Sequence, residues 1–534
     1  MSVNIRPSTP DDAPSWLSLV KSAIGEDHPS KQLYDPAWIT AELGENEGSK
    51  TWVAEADGML MGSVTILAPF PSEENPVMNL AREIFLPEAY ENGAAEALID
   101  QVASQDSDKK MMTVTRLLAS DKKAQVLFEK KGYVCVGYQP LKHLHRAREG
   151  VLFYVHPATS GLETHLPMSE SLPQTGELAT ASLTHCGIRP PSLIRDGITG
   201  YPLKTELSCA EAPYDEFDLW KQQVASSNPP KEISGAFHLG FGFMRVDGSP
   251  TIKSALGKRE SKVVAGVAYY VDELDRCVRI IDAFAIDDLS MGAMLQHAVQ
   301  IAQDELSAVF VEIDLLTTAP RLIKSAEQLG FVPVCYMPAF ASHDGYHVDV
   351  VKMVKLNTSY SLENIDLTSH AEALVKIVDY NFQDQKTGVA IINLLRALPI
   401  FEGLGDGELR KIARLFTQKL YRPGEKVFNK GDQGNEAFVM MRGKIDILLE
   451  EGSQPVASLT DGQIFGEQSF LDGSARVALA QADKPSILLV VQRSNFNDLV
   501  QREPHLGMVV MQNIAKDLSK KLKRANTALS AAKR

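Results

Sequence analysis

Cysteine is scarce in this 534-residue chain: Cys135, Cys186, Cys209, Cys277 and Cys335 are odd in number, widely spaced and contain no Cys-x-x-Cys. Such a set argues against a disulfide framework and a structural zinc site, and it suits buried thiols in a reduced, cytoplasmic setting. Long apolar runs are also lacking. The most apolar stretch, SILLVV at 486–491, is strand-sized and far too short to span a bilayer, so no membrane partner is expected. The opening MSVNIRPSTPDD has neither a basic nor an apolar segment of the kind that marks secretion. Positive charge is the minority sign, with 54 Lys and Arg against 68 Asp and Glu, a net charge of −14. That balance argues against broad nucleic-acid binding and leaves room only for a local basic patch. What is present, 44% hydrophobic and 23% charged residues, is the composition of an ordinary globular protein. The length predicts about three or four domains.

Residues 1–155 alternate strands and helices. Strands are expected at 3–6, 51–55, 59–67, 83–86 and 112–118, with a further one starting at 132–136. The Asp57-Gly58 pair between the second and third is a hairpin signal. Helices are expected after Pro10, after Gly93 with Ala95, Leu98, Ile99 and Val102 on one face, and at 122–131. From 156 to 199 the periodicity fades and Pro, Ser, Thr and Gly accumulate, which reads as a linker. Residues 200–356 repeat the first block in weaker form, with paired strands at 262–271 and 276–286. A helix at 291–304, a strand at 308–315, a helix at 319–329 and a strand from 330 follow, which together suggest a divergent internal duplication. A helical connector is expected over 357–390, then helix at 394–416. In the last block, 391–534, short strands separated by glycines at 424, 431, 434, 443, 452 and 462 argue for a small β-barrel or jelly roll. A long terminal helix is expected over 507–525. The predicted fold class is therefore α/β, two mixed sheets flanked by helices, plus a C-terminal β-barrel with flanking helices.

FGEQSFLDGSARVAL, residues 465–479, places Glu467 and Arg476 nine positions apart around an Asp-Gly-Ser turn. The carboxylate can accept from a ribose 2′-hydroxyl, and the guanidinium can grip two phosphate oxygens as a fork. Backbone N–H groups of a short helix starting near Gly466 can face the same phosphate. With LPIFEGLGDGELRKIARLF and YRPGEKVFNKGDQGNEAFVMMRGKIDI, this stretch resembles the cyclic-nucleotide-binding domain shared by catabolite activator proteins and protein kinase A regulatory subunits, over about 394–524. The resemblance implies Phe465, Gly466, Glu467, Gln468, Ser469, Arg476 and Val477 as nucleotide-binding residues. At the last of these the family usually has a small or hydroxylated residue. Val477 lacks the hydroxyl associated with cGMP, so cAMP is the expected effector. The alternative is a barrel that keeps the fold without the ligand. The sequence stops about ten residues past the terminal helix, so no helix-turn-helix, and hence no DNA partner, is expected. The tail carries Lys516, Lys520, Lys521, Lys523, Arg524, Lys533 and Arg534 against Asp517. It reads first as a solvated helix face and second as a helix that pairs two copies in a homodimer.

The segments IRPSTPDDA, TWVAEADGMLMGSVTIL, EIFLPEAYENGAAEALIDQV and DKKAQVLFEKKGYVCVG follow the order of the GNAT family of acyl-CoA-dependent N-acyltransferases, which the first block resembles over most of 3–140. The resemblance implies an acyl-CoA cosubstrate, held at Phe85, Leu86 and a pyrophosphate loop at Tyr90, Glu91, Asn92, Gly93, Ala94 and Ala95. Gly93 and Ala95 match that loop; Tyr90 stands where Gln or Arg is usual, and Glu91 adds a negative charge. Glu83 is the candidate base, with an ordinary strand-edge carboxylate as the alternative. Phe128 stands where the family's acid is a tyrosine, and Asp121 where asparagine is common. The second block looks like another GNAT unit with a shortened loop around Ser290 and Gly292 and with Ala326 at the acid position, so structural support or acceptor binding is expected of it. The two units would shield each other's sheet edges. His143 and His145 share a strand face and read as structural. His343 and His347 could share a helix, but Asp344-Gly345 reads as a turn, and no metal is assigned. Bacterial protein lysine acetyltransferases combine these two domain types. The expectation is therefore a cAMP-regulated N-acyltransferase acting on an amine, with protein lysine one acceptor. The rival is a non-enzymatic cyclic-nucleotide sensor built on retired acyltransferase domains.

Overall fold

The computed structural model describes residues 3–44, 48–67, 77–104, 112–156, 165–166, 170–194, 198–203, 205–226, 251–343 and 346–532. The chain divides into two compact units, Met1–Phe382 and Gln383–Arg534.

The first unit is built on one fourteen-stranded sheet. Its first half contains β1 (Asn4–Pro7), β2 (Ser49–Ala56), β3 (Met59–Leu67), β4 (Val77–Phe85), β5 (Met112–Leu118), β6 (Val134–Leu144) and β7 (Arg148–His156). Its second half contains β8 (Ser208–Ala212), β9 (Thr251–Arg259), β10 (Lys262–Asp272), β11 (Cys277–Ala285), β12 (Phe310–Leu316), β13 (Val332–His343) and β14 (Tyr346–Leu356). The spatial order is 1-2-3-4-5-7-6 and then 13-14-12-11-10-9-8, so each half is the other's strand order reversed. Within each half one neighbouring pair is parallel, β4 with β5 and β11 with β12.

The repeat extends to local geometry. The β2–β3 turn has positive φ at Asp57 (51°) and Gly58 (78°), and the β9–β10 turn has the same at Glu260 (48°) and Ser261 (67°). Two left-handed residues in a two-residue turn give the twist a hairpin needs. Gly62 lies against Phe85 and Gly266 against Phe284, where an added Cβ would come within 2.6 and 2.5 Å of the respective ring. The halves join where β6 meets β13 at Gly137 and Cys335. An added Cβ at Gly137 would lie 2.4 Å from the Cys335 Cβ, so only glycine admits this approach. Each half thus covers the other's sheet edge.

Five helices serve the first half: α1 (Ala13–Ile24), α2 (Pro36–Leu43), α3 (Pro87–Glu91), α4 (Ala94–Ser104) and α5 (Lys122–Lys130). Ala95, Leu98, Ile99 and Val102 of α4 are buried on one face, as the helical period requires. The 156–199 stretch, expected as a linker, holds α6 (Pro173–His185), which packs on both β6 and β13 and buries Leu178, Ala179 and Leu183. Its apolar face is carried by few large residues among Ala, Ser and Thr, which is why its period is faint. The second half carries α7 (Tyr214–Ser226), α8 (Asp288–Gln300) and α9 (Pro320–Gln328). β7 has no sequence counterpart above; VLFYV is buried on both faces and so does not alternate. His343 and His347 lie on strands β13 and β14, not on a helix. The Asp344-Gly345 turn lies outside the described residues.

The connector is α10 (Ser369–Arg396), which begins in the first unit and ends in the second. Helix expected over 394–416 is interrupted: Pro399–Phe401 is a 3-10 turn, α11 is Asp406–Ala413, and Phe416 already starts a strand. Eight strands form two four-stranded sheets. One contains β15 (Phe416–Tyr421), β17 (Glu436–Arg442), β20 (Ile464–Phe465) and β22 (Ser486–Gln492); the other contains β16 (Lys426–Phe428), β18 (Ile445–Leu448), β19 (Ala457–Leu459) and β21 (Leu479–Ala482). Helices α12 (Glu467–Asp472), α13 (Arg493–Arg502) and α14 (Pro504–Ala532) complete the unit, and α14 runs further at both ends than its sequence pattern suggests.

Candidate functional site

In the second unit, β20 ends at Phe465, and Gly466 turns the chain at φ 75° into α12, whose first residue is Glu467. A side chain at Gly466 would be strained by that φ and would press within 2.8 Å of the Arg476 guanidinium. Arg476 is 4% exposed. Its two terminal nitrogens donate to the Gly466 carbonyl at 2.8 Å and the Glu436 carbonyl at 2.6 Å. Its guanidinium lies 4.3 Å from the centroid of the Phe428 ring, a cation–π contact. Burial pulls its pKa down, while Glu436, Asp432 and Glu467 oppose that shift. The Arg476 Nε is buried without a hydrogen-bond partner among the described residues. The arginine therefore sits in the barrel beside the helix start, with two of its donors on backbone carbonyls.

Ser469 is buried, and Gly434 lies so close to it that an added Cβ would approach within 1.9 Å. Val477 points outward, 67% exposed. Gln468 follows Glu467 on α12. Glu467 also borders an apolar cavity of about 390 Å³ behind α12, walled by Phe401, Phe416, Phe470, Phe496 and Val510 among others.

In the first unit the parallel pair β4–β5 holds register only from Val77–Met112 to Asn79–Val114, although β4 runs on to Phe85 and β5 to Leu118. The strands separate, and the residues beyond the separation include Glu83. A bulge in the β3–β4 ladder and a left-handed φ of 53° at Arg82 accompany the change of direction. Glu83 accepts from the Thr115 hydroxyl. Burial raises its pKa above the ordinary carboxylate range, against the pull of that hydrogen bond and of Arg116 and Arg82. Arg82 is itself held by Glu42 at 2.7 Å.

Glu83 borders a polar cavity of about 790 Å³. Strands β4, β5 and β6 and the end of α1 supply part of the wall, and Asp272, Leu274 and Asp275 of the second half's β10–β11 turn supply another. Asp275 is tied to Arg148 at 3.3 Å. His28, His143 and His145 line the same cavity. The structure thus brings the two histidines read as structural to the wall that contains Glu83. It adds His28, which no local motif marks, because it reaches them only through the fold.

Among the residues expected to hold acyl-CoA, Phe85 and Tyr90 meet edge to face with ring centroids 5.6 Å apart. Leu86 donates its N–H to Met61, leaving the strand for α3, which ends at Glu91. Gly93 has φ 79° with open space where a Cβ would be, and α4 starts at Ala94 and Ala95. The Asn92 side-chain Oδ1 accepts the Ala94 N–H at 2.9 Å. Asp121 likewise caps α5 by accepting from the Ala124 N–H at 3.0 Å. Phe128 is fully buried against Tyr133, ring centroids 5.0 Å apart, and is a core residue.

The second half differs at the corresponding places. Asp287 caps α8 by accepting from Leu289 N–H at 3.0 Å, and Arg259 is bonded to both Asp287 and Ser290. The Pro202 carbonyl crosses Gly292 so closely that an added Cβ would lie 2.4 Å away. Asp282, two residues before Phe284 as Glu83 is two before Phe85, is paired with Lys221. Along the sheet, Arg279, Glu312, Asp314 and Lys352 form a buried ion network. Lys142 of the first half joins it at 2.8 Å from Glu312, and Gln139 bonds Glu312 as well. Ala326 is buried in the core.

Among the described residues no helix is long and apolar enough to cross a membrane, and no His, Cys, Asp and Glu group is set to hold a metal.

The eight-stranded fold with Glu467 and Arg476 at a glycine-started helix defines the class of the second unit. Residues 418–503 match the cyclic nucleotide-binding domain family, so the chain carries a C-terminal domain of that kind. The chain is 30% identical over 138 residues to the cyclic AMP receptor protein of Thermus thermophilus, covering 25% of this chain and 62% of that protein. It is 28% identical over 123 residues to the cAMP-dependent protein kinase regulatory subunit of Schizosaccharomyces pombe, covering 22% and 30%. With human cGMP-dependent protein kinase 2 the figures are 27% over 113 residues, 20% and 15%. Of solved structures, Thermus thermophilus catabolite activator protein matches at 32% identity over 25% of this chain and 62% of that one, TM-score 0.23. The chain spans less than two thirds of each of these relatives.

Proposed function

We propose that this protein is a cAMP-regulated N-acyltransferase that moves an acyl group from coenzyme A to an amine, with protein lysine as one acceptor class. The observation that carries the catalytic part is the separation of β4 from β5 beside Glu83, with a left-handed glycine and a helix start following on the same strand. Strands that part expose backbone groups able to hold a thioester, and the helix start favours a pyrophosphate. Glu83, kept from full solvation, is a better base than an exposed carboxylate. Cyclic AMP is favoured as effector by the exposed, hydroxyl-free Val477 and by the names of two of the relatives above. Nucleotide binding would shift the enzyme between two states, with a coupling of about 1–3 kcal/mol, and substrate would alter cAMP affinity by the same factor.

The second reading, a non-enzymatic sensor, is favoured by Phe128, which offers no proton, and by Asn92, which occupies the Ala94 N–H. Thiol release from acetyl-CoA, followed with a panel of amines and lysine-rich proteins with and without cAMP, separates the two. The enzyme reading expects turnover that changes with cAMP and an Arg476→Ala variant that no longer responds. Absence of turnover throughout, with cAMP still bound, would leave the sensor.

A further inference from the structure

Acyl transfer to an amine releases a proton. The acceptor enters as R–NH3+ and leaves as an amide, so its nitrogen gives up two protons. As the N–C bond forms and the C–S bond breaks, the departing thiolate takes one of them. The other must leave the site as H+.

The cavity that Glu83 borders is also lined by three imidazoles, one of which reaches an exposed carboxylate. The His28 ring lies 5.8 Å from His143 and 5.3 Å from His145, centroid to centroid. At these separations a single water can bridge ring nitrogens. The His28 Nδ1 accepts the Ser30 N–H at 3.1 Å, which leaves its own proton on Nε2. The His145 Nε2 is 3.5 Å from Asp27 Oδ1, and Asp27 is bound to Arg146 at 3.2 Å. Exposure rises along this path, from 21% for the His145 side chain to 57% for Asp27.

We propose that His28, His143 and His145 form the proton outlet of the cavity, taking the acceptor's proton from Glu83 and passing it to solvent at Asp27. This rests on the acyltransferase reading above. The ring of His143 is held neutral, its pKa pushed down to about 4 by burial and then by His28 and Arg116, with Glu149 and Asp275 opposing. A neutral ring has a lone pair to receive a proton and does not retain it. His145 faces Asp27 and stands next to Arg146, so a proton arriving there meets a carboxylate at the surface.

The test is the pH profile of acetyl-CoA thiol release by the full-length protein, with the best amine of the panel above, for wild type, His143→Gln and His28→Asn. At pH 7 each variant is expected to lose roughly 100-fold, the lower end of general acid–base effects. At pH 9, where more amine is already deprotonated, the deficit should shrink several-fold, and added imidazole should restore part of the rate at pH 7. A loss equal at all pH values and unaffected by imidazole, or no loss in either variant, would overturn the outlet while leaving the acyltransferase reading intact. Wild-type protein that releases no thiol with any amine would overturn both. Melting temperatures of the variants identify any that fail to fold.

Discussion

The two halves of the fourteen-stranded sheet share strand order, hairpin turns, a glycine against a phenylalanine and a side-chain cap at the following helix, yet differ in what surrounds that helix start. In the first half the glycine before α4 has open space beside it, and Glu83 borders a cavity. In the second, Pro202 lies across Gly292, Asp287 and Arg259 fill the start of α8, and Asp282 is neutralised by Lys221. Architecture and local chemistry therefore part between the halves: the second half repeats the scaffold, has its helix start covered, and gives Asp272, Leu274 and Asp275 to the first half's cavity.

If the second half is structural, its buried ions should matter to stability more than to turnover. Burial alone would raise the Glu312 carboxyl, but Arg279, Lys142 and Lys352 outweigh it and hold it well below the ordinary carboxylate range. A depressed folded-state value means the stabilisation is present above the unfolded-state pKa and lost as pH falls toward the folded one. Glu312→Gln should cost about 3–5 kcal/mol at neutral pH, as expected for breaking a buried ion network. It should also flatten the acid side of a melting-temperature curve. A neutral effect would remove the network from the account.

Catalysis should depend on the first half in the opposite way. Glu83→Gln should lower turnover by about 10²- to 10⁴-fold with little change in melting temperature. Because Glu83 must be unprotonated to act and burial raises its pKa, the wild-type rate should climb with pH through a value above the ordinary carboxylate range. That limb should vanish in the variant. Asp282→Asn in the second half should leave the limb in place.

The smallest effect concerns the closed helix start. Gly292→Ala places a Cβ against the Pro202 carbonyl and should cost about 1–3 kcal/mol, typical of overpacking, with acetyl-CoA affinity unchanged. A fall in affinity would mean that α8 takes part in binding.

Much of this was legible in the sequence. Asp57-Gly58 announced its hairpin, the α4 apolar face its helix, and the glycine-punctuated short strands of 391–534 the small barrel, because each depends on neighbours in the chain. The meeting of His28 with His143 and His145, the covering of Gly292 by Pro202 and the Gly137–Cys335 joint were not legible, since each joins residues distant in sequence. The Arg476 side chain lies beside the start of α12, and its bonds to the Gly466 and Glu436 carbonyls depend on a backbone path that no motif encodes.

The most direct test is the calorimetric stoichiometry of acetyl-CoA binding to the full-length protein, in the presence of saturating cAMP. One molecule bound per chain is the result predicted by an open first half and a closed second half. Two per chain would contradict the closed second half, and none would contradict the acyl-CoA site itself.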